Sequence, residues 1–243
     1  MLAVDRISCS FGGHRVVSEV SFAVTPGEMV ALIGPNGAGK TTCFNMVGGQ
    51  LRPDSGSIRL DGVDMRASPR AVWRRGVGRT FQVTATFGSM TVRENVQIAL
   101  ASHAGGAWRG WRSLRGQHAA EADALLGRVG LAAQADRAAT VLAYGDLKRL
   151  ELAMALSNAP RLLLMDEPTA GMAPGERTAL MRLVRQLAAT GDVAVLFTEH
   201  DMDVVFAAAD RILVLDRGQI IAAGDGPAIR ADPRVRQVYL GAC

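Results

Sequence analysis

Gly34-Pro35-Asn36-Gly37-Ala38-Gly39-Lys40-Thr41 sets three glycines, a lysine and a hydroxyl at fixed offsets. The run fits G-x-x-x-x-G-K-[ST]. Glycines let the backbone close round a phosphate with no side chain in the way, and N–H groups of the loop and of the following helix then face the anion. In that arrangement Lys40 reaches the β- and γ-phosphates and the Thr41 hydroxyl ligates Mg²⁺, with Thr42 next to it in the same cradle. A second chemical cluster is Leu162-Leu163-Leu164-Met165-Asp166-Glu167, an apolar run ending in two carboxylates. Asp166 can hold Mg²⁺ beside the phosphates, directly or through water. Glu167, one residue on, can orient and polarise a water for in-line attack on the γ-phosphate.

These side chains need strands and helices to hold them. Met29–Ile33 reads as a buried strand running into the glycine loop, and residues 40–47 as the helix leaving it. Leu2–Ser10 and Arg15–Val24 flank Gly12-Gly13 and read as a hairpin. Further strands are expected at Ser57–Leu60, Val77–Gln82, Arg161–Met165, Val193–Thr198 and Arg211–Leu215. Helices are expected at Ser68–Arg75, Pro174–Ala189 and Met202–Ala208. Between residues 91 and 156 alanine, leucine and charged residues recur at helical spacing, as in Thr91–His103 and Gln117–Val129. The glycine- and arginine-rich stretch between those two helices, with Trp108 and Trp111, reads as a loop. The fold class is α/β, a strand–helix core interrupted by a helical insertion. We expect a nucleotide-binding core at 1–85 and 160–243 and an inserted helical part at 86–159, within one domain of 243 residues.

Hydrophobic residues make up 49% of the chain, enough for a sizeable core. No apolar run approaches the roughly 20 residues of a spanning helix. Met1–Ser10 carries Asp5 and Arg6 and lacks the apolar centre of a signal peptide, so a cytoplasmic location is expected. Cys9, Cys43 and Cys243 have no metal or redox spacing, and Cys43 reads as a small core residue. The net charge of +4 is a mild excess. Arg66, Arg70, Arg74, Arg75 and Arg79 crowd one region, and Arg109, Arg112 and Arg115 another; with no aromatic-interleaved recognition pattern at either, they read as a solvated face, or one near anionic headgroups, and no nucleic acid is expected as a partner.

Leu142-Ala143-Tyr144-Gly145-Asp146 precedes the Asp166 strand by one short helix and resembles, in divergent form, the LSGGQ signature of ATP-binding cassette (ABC) ATPases. Other residues match in order and spacing. Gln82 resembles the glutamine that contacts Mg²⁺ and the attacking water. His200, in Thr198-Glu199-His200-Asp201, resembles the switch histidine that touches the γ-phosphate. Phe11 resembles the aromatic that stacks on adenine, with an ordinary core phenylalanine as the other reading. The resemblance covers essentially the whole chain. It implies a P-loop fold with an N-terminal antiparallel β subdomain and an inserted helical subdomain. It also implies two such subunits, identical or paralogous, that sandwich ATP and Mg²⁺ between the glycine loop of one and Ala143–Asp146 of the other.

By the same resemblance the chain is peripheral on the inner face of the membrane and passes its motion to separate permease subunits. Val83, Phe87 and Met90 are then docking candidates, with interior packing as the other reading. Four positions depart from the family pattern. Ala143 removes a hydroxyl donor, Tyr144 replaces a glycine, Asp146 replaces glutamine, and Ala173 stands where an aspartate is usual. The forms Gly78-Arg79-Thr80-Phe81-Gln82, Leu142-Ala143-Tyr144-Gly145, Glu167-Pro168-Thr169-Ala170-Gly171-Met172 and Val238-Tyr239-Leu240-Gly241 are together similar to the branched-chain amino acid importer group. That group implies a solute-binding protein as an indirect partner. The alternatives are an exporter ATPase, of lipopolysaccharide type for example, and a non-transport ABC ATPase acting on nucleic acid or ribosomes.

Overall fold

Met29–Ile33 forms β3, and every one of its residues is buried. Its side chains alternate between two hydrophobic clusters: Met29, Ala31 and Ile33 in one, Val30 and Leu32 in the other. A strand covered on both faces has no polar side to show, which is why it reads as a continuous apolar run. The computed structural model describes residues 1–80, 85–104 and 117–240. Gln82 and Val83, the segment carrying Arg109, Arg112 and Arg115 with Trp108 and Trp111, and Gly241 lie outside the described residues.

β3 belongs to a six-stranded sheet in the order β10-β9-β3-β8-β7-β6. Its other members are β6 (Val77–Thr80), β7 (Leu162–Asp166), β8 (Ala194–Thr198), β9 (Arg211–Asp216) and β10 (Gln219–Gly224). β6, β7, β8, β3 and β9 run parallel, and β10 is antiparallel to β9. β10 is an addition to the elements expected from sequence. Its turn uses Arg217 and Gly218, both with positive φ (46° and 78°), the backbone a two-residue hairpin needs. Arg-Gly is a weaker hairpin signal than Asn-Gly or Asp-Gly.

A four-stranded antiparallel sheet, β2-β1-β4-β5, packs beside this one. It contains β1 (Leu2–Phe11), β2 (His14–Val24), β4 (Ser55–Leu60) and the two-residue β5 (Val63–Asp64). Its inward residues, among them Leu2, Ile7, Val17 and Val24, share a cluster with α1 (Lys40–Val47) and the second face of β3. α1 carries Cys43, a core thiol whose burial pushes its pKa up to about 12.

α2 (Pro69–Arg74) leads into β6. The segment between β6 and β7 contributes α3 (Val92–His103), α4 (Ala119–Arg128) and α5 (Tyr144–Ala155). Thr91 caps α3 through a reciprocal pair: its side chain accepts from Glu94 N–H at 3.1 Å, and Glu94 accepts from Thr91 N–H at 2.8 Å. These helices bury Val92, Val96, Leu126 and Leu150 in the cluster that holds Met29 and Ile33. α6 (Pro174–Ala188) and α7 (Met202–Ala208) cover the same face.

The neighbouring strands β3 and β9 are also joined by charge where they begin. Arg211 Nε donates to Glu28 Oε1 at 2.8 Å, and Thr25 gives Glu28 its N–H and its hydroxyl at 2.8 and 2.9 Å. Burial pushes the Glu28 carboxyl up, but these bonds outweigh it and hold the group below its ordinary value of 4.5. A carboxylate with a depressed folded pKa stabilises above its unfolded pKa and loses that contribution as pH falls through the folded value. Glu28→Gln should therefore lower the melting temperature at neutral pH by the equivalent of about 1–3 kcal/mol. In thermal melts the gap to the unmodified protein should close as pH drops below 4.5; a gap independent of pH would contradict the assignment.

Candidate functional site

The loop from Gly34 to Gly39 joins the end of β3 to α1. Gly34 has φ +155°, and a Cβ there would lie 2.0 Å from the Leu215 carbonyl oxygen on β9. No side chain fits, so the loop can leave the sheet only through glycine. Gly39 precedes α1 and supplies no side-chain cap, so first-turn N–H groups of the helix face outward as an anion site. Lys40 is buried and donates from Nζ to the carbonyls of Gly34 (2.7 Å) and Pro35 (3.1 Å). Burial lowers its pKa, against the pull of Glu167 and Asp166.

A cavity of about 210 Å³ opens here, lined by residues 36–42 with Val16, Glu167 and His200. The structure thus brings Lys40, Thr41, Glu167 and His200 together from three parts of the chain. Phe11 is 49% exposed at the end of β1, which excludes the core reading. It stands outside this lining, where Val16 of β2 takes a place.

The acids sit at the end of β7. Asp166 pairs with Thr198 of β8. Thr198 Oγ1 donates to Asp166 Oδ1 at 2.7 Å and accepts from Glu167 N–H at 3.1 Å. Glu167 adopts φ +47°, a left-handed conformation that costs a non-glycine residue about 1–3 kcal/mol. Its Oε1 lies 2.8 Å from His200 Nε2. The buried Glu199 carboxylate accepts from Thr169 N–H (2.8 Å), Thr169 Oγ1 (2.6 Å) and His200 N–H (3.2 Å). Thr198 and Glu199 thus hold the backbones of the two candidate catalytic residues, and neither stood out in the sequence, where each is an ordinary residue beside a conspicuous histidine.

Arg79 is a second residue whose place the sequence obscured. Grouped with surface arginines by spacing, it is largely buried. It donates to Asn45 Oδ1 at 3.0 Å and to Gln50, and approaches Asp166 Oδ2 at 3.9 Å. Burial lowers its pKa, opposed by Asp166. Arg66 and Arg75 donate to the carbonyls of Gly56 and Asp64, so part of that cluster braces turns rather than facing a partner.

Ala143 precedes α5 and, lacking a hydroxyl, gives it no side-chain cap. Tyr144 is exposed, and a Cβ on Gly171 would lie 3.4 Å from its ring. Gly145 lies against Glu176, where a Cβ would come within 2.9 Å of Oε1. Asp146 in the first turn accepts from Gln134 Nε2 at 2.7 Å. Ala173 precedes α6 without a side-chain cap, and its N–H goes to Glu176 at 3.3 Å.

A glycine loop between a central strand and a helix, with paired acids two strands away across the sheet, defines a P-loop ATPase. Residues 17–170 match the family model described as ABC transporter. The chain is 39% identical to the high-affinity branched-chain amino acid transport ATP-binding protein LivG of Escherichia coli (strain K12), covering 99% of this chain and 98% of that protein. The protein BraF of Pseudomonas aeruginosa, which carries the same description, is 39% identical over the same shares. A solved ATP-binding cassette of an ABC transporter in its ADP conformation superposes with a TM-score of 0.87 at 30% identity, covering 100% of this chain and 99% of that one. The chain belongs to the ABC transporter ATP-binding family and is an ATP-binding, ATP-hydrolysing transporter subunit. Among the described residues no helix is long and apolar enough to cross a membrane.

Two loop variants separate shape from charge. Gly34→Ala should lose nucleotide binding because its Cβ must displace the Leu215 carbonyl. Lys40→Ala should keep the fold and weaken binding by about tenfold or more, as loss of a charged hydrogen bond does. Titration with a fluorescent ATP analogue reads both, and unchanged affinity in either variant would remove the loop from the site.

Proposed function

We propose that this chain powers uptake of branched-chain amino acids or closely related small solutes, hydrolysing Mg²⁺-ATP in the cavity shared by Lys40, Glu167 and His200. The observation that carries the reaction is the 2.8 Å contact between His200 Nε2 and Glu167 Oε1 on the rim of the glycine loop. The names of the relatives LivG and BraF support the solute class.

The residues present fit the ligands. Among the described residues no group of three or more His, Cys, Asp or Glu side chains could hold a metal ion on its own. Asp166 and Thr41 offer the one carboxylate and one hydroxyl that Mg²⁺ takes when phosphates and water supply the rest. When bound, the ion neutralises charge on the phosphates and holds them in line for attack. Lys40 leaves the Gly34 and Pro35 carbonyls for the β- and γ-phosphates, and residues 37–42 donate backbone N–H groups. Glu167 accepts a proton from the attacking water, and His200 holds the Glu167 carboxylate in place and reaches the γ-phosphate. Gln82 is assigned to the water and the ion, and Phe11 to adenine.

The other half of each site comes from a second subunit, identical or paralogous, through Ala143, Tyr144, Gly145 and Asp146. Tyr144 and Val141 are exposed apolar side chains at that edge, which supports a surface made to be covered. The permease is assigned to a cleft of about 350 Å³ between the core and the helices, lined by Val72, Trp73, Ala85, Ala99 and Met154. Near it in sequence, Phe87 is 49% exposed while Asn95 pins its backbone through two hydrogen bonds (2.7 and 3.1 Å). An apolar ring held out on a fixed loop suits a docking role over interior packing.

Two measurements test this reading. Glu167→Gln should keep ATP affinity while turnover falls about 10²–10⁴-fold; near-normal phosphate release would remove Glu167 as the base. Ala99→Trp should fill the cleft, lowering co-purification with the permease and leaving ATP affinity unchanged; full recovery of the complex would place the permease elsewhere.

A further inference from the structure

Arg177, in the first turn of α6, bridges the segment after Glu167 to the segment after His200. Its Nε donates to the Met172 carbonyl at 2.7 Å and its Nη1 to Asp201 Oδ2 at 2.6 Å. The other Asp201 oxygen caps α7, accepting from Asp203 N–H (3.0 Å) and Val204 N–H (3.3 Å). Asp201 is thus fixed on both oxygens, and His200 precedes it directly. On the other side of His200, Glu199 is bonded to Thr169. The stretches 167–172 and 198–201 are therefore tied at three levels. Thr198 meets Glu167 at the strand ends, Glu199 meets Thr169, and Arg177 joins Met172 to Asp201.

The first two levels are buried and belong to the core. The third is half-exposed, at the wall of a cavity of about 620 Å³ between α6 and α7. Level three is also the one that meets the signature edge, because Gly171, beside Met172, lies against the Tyr144 ring.

We propose that Arg177 is a positioning residue for ATP hydrolysis: its bonds to Met172 and Asp201 fix where His200 meets Glu167. This rests on the reading of Glu167 and His200 as the hydrolytic pair. A planar guanidinium can serve the carbonyl and the carboxylate at once, from Nε and Nη1, whereas an ammonium makes a point contact. Misplacement of a catalytic contact by an ångström costs up to about 100-fold in rate. Arg177 touches none of the residues lining the phosphate cavity, so its loss should act on turnover and spare affinity.

The test uses the full-length purified chain, with kcat and KM for Mg²⁺-ATP, equilibrium binding of a fluorescent ATP analogue, and melting temperature. Arg177→Ala should lower kcat by about 10–100-fold with affinity within about twofold. Arg177→Lys should restore part of kcat through Asp201 alone. In the His200→Ala background, Arg177→Ala should cause no further loss, because contacts acting through one residue are not additive. An unchanged kcat in Arg177→Ala, a loss that multiplies with His200→Ala, or equal losses in kcat and affinity would each overturn the proposal. If Arg177→Ala does not fold, Arg177→Lys and Asp201→Asn carry the same comparison. Glu167→Gln separates the two readings. Normal turnover there sinks the hydrolytic pair itself, whereas a dead Glu167→Gln beside a normal Arg177→Ala sinks only the role of Arg177.

Discussion

Thr198 is the contact that holds the acids of the candidate site in place. It pairs with Asp166 across β7 and β8, donates a hydrogen bond from its hydroxyl to that carboxylate, and accepts one from the Glu167 N–H on the same oxygen. One short side chain therefore ties the carboxylate of one acid to the backbone of the next. Asp166 is held by Thr198 on one oxygen and approaches Arg79 with the other. Glu167 is turned out through a left-handed backbone toward His200. Without that division the two carboxylates would repel each other across one solvated strand end.

The sheet makes such an arrangement reliable because its strands have no freedom of register. Met29–Ile33, Leu162–Met165 and Ala194–Phe197 are buried on both faces, so a slip by one residue would exchange the side chains of two filled clusters. The glycine loop is locked to the same frame by the Leu215 carbonyl behind Gly34. Loop, acids and histidine thus leave one rigid edge, where open parallel sheets gather their ligands. The helices between β6 and β7 share the core on one face only, so the edge that carries Tyr144 and Gly145 is positioned by α5 and α6 rather than by the sheet.

Much of this was legible in the sequence for a simple reason. Phosphate binding needs glycines, a lysine and a hydroxyl at fixed offsets, and a buried strand needs an unbroken apolar run; both are local. The strand of β7 with its terminal acids and the helix start at Thr91 are local signals of the same kind. What stayed hidden is non-local. Arg79 looks like its neighbours Arg74 and Arg75 until β6 carries it beneath Asp166. Thr198, Glu199 and Arg177 are ordinary residues whose partners lie 24 to 32 positions away or on another element. β10 was missed because Arg217 takes a turn conformation that its side chain does not advertise. Phe11 was ambiguous because an aromatic at a strand end looks the same whether the next layer covers it or not.

Lys40 keeps its own counter-dipoles. Its ammonium rests on the Gly34 and Pro35 carbonyls at 2.7 and 3.1 Å, two acceptors that belong to the very loop that would hold a phosphate. Burying a cation is costly unless it is hydrogen-bonded. Here the backbone of the loop supplies those acceptors itself. A change in the path of the glycine turn would therefore withdraw the acceptors that let Lys40 stay buried, so one short stretch of backbone both shapes the loop and houses its charge.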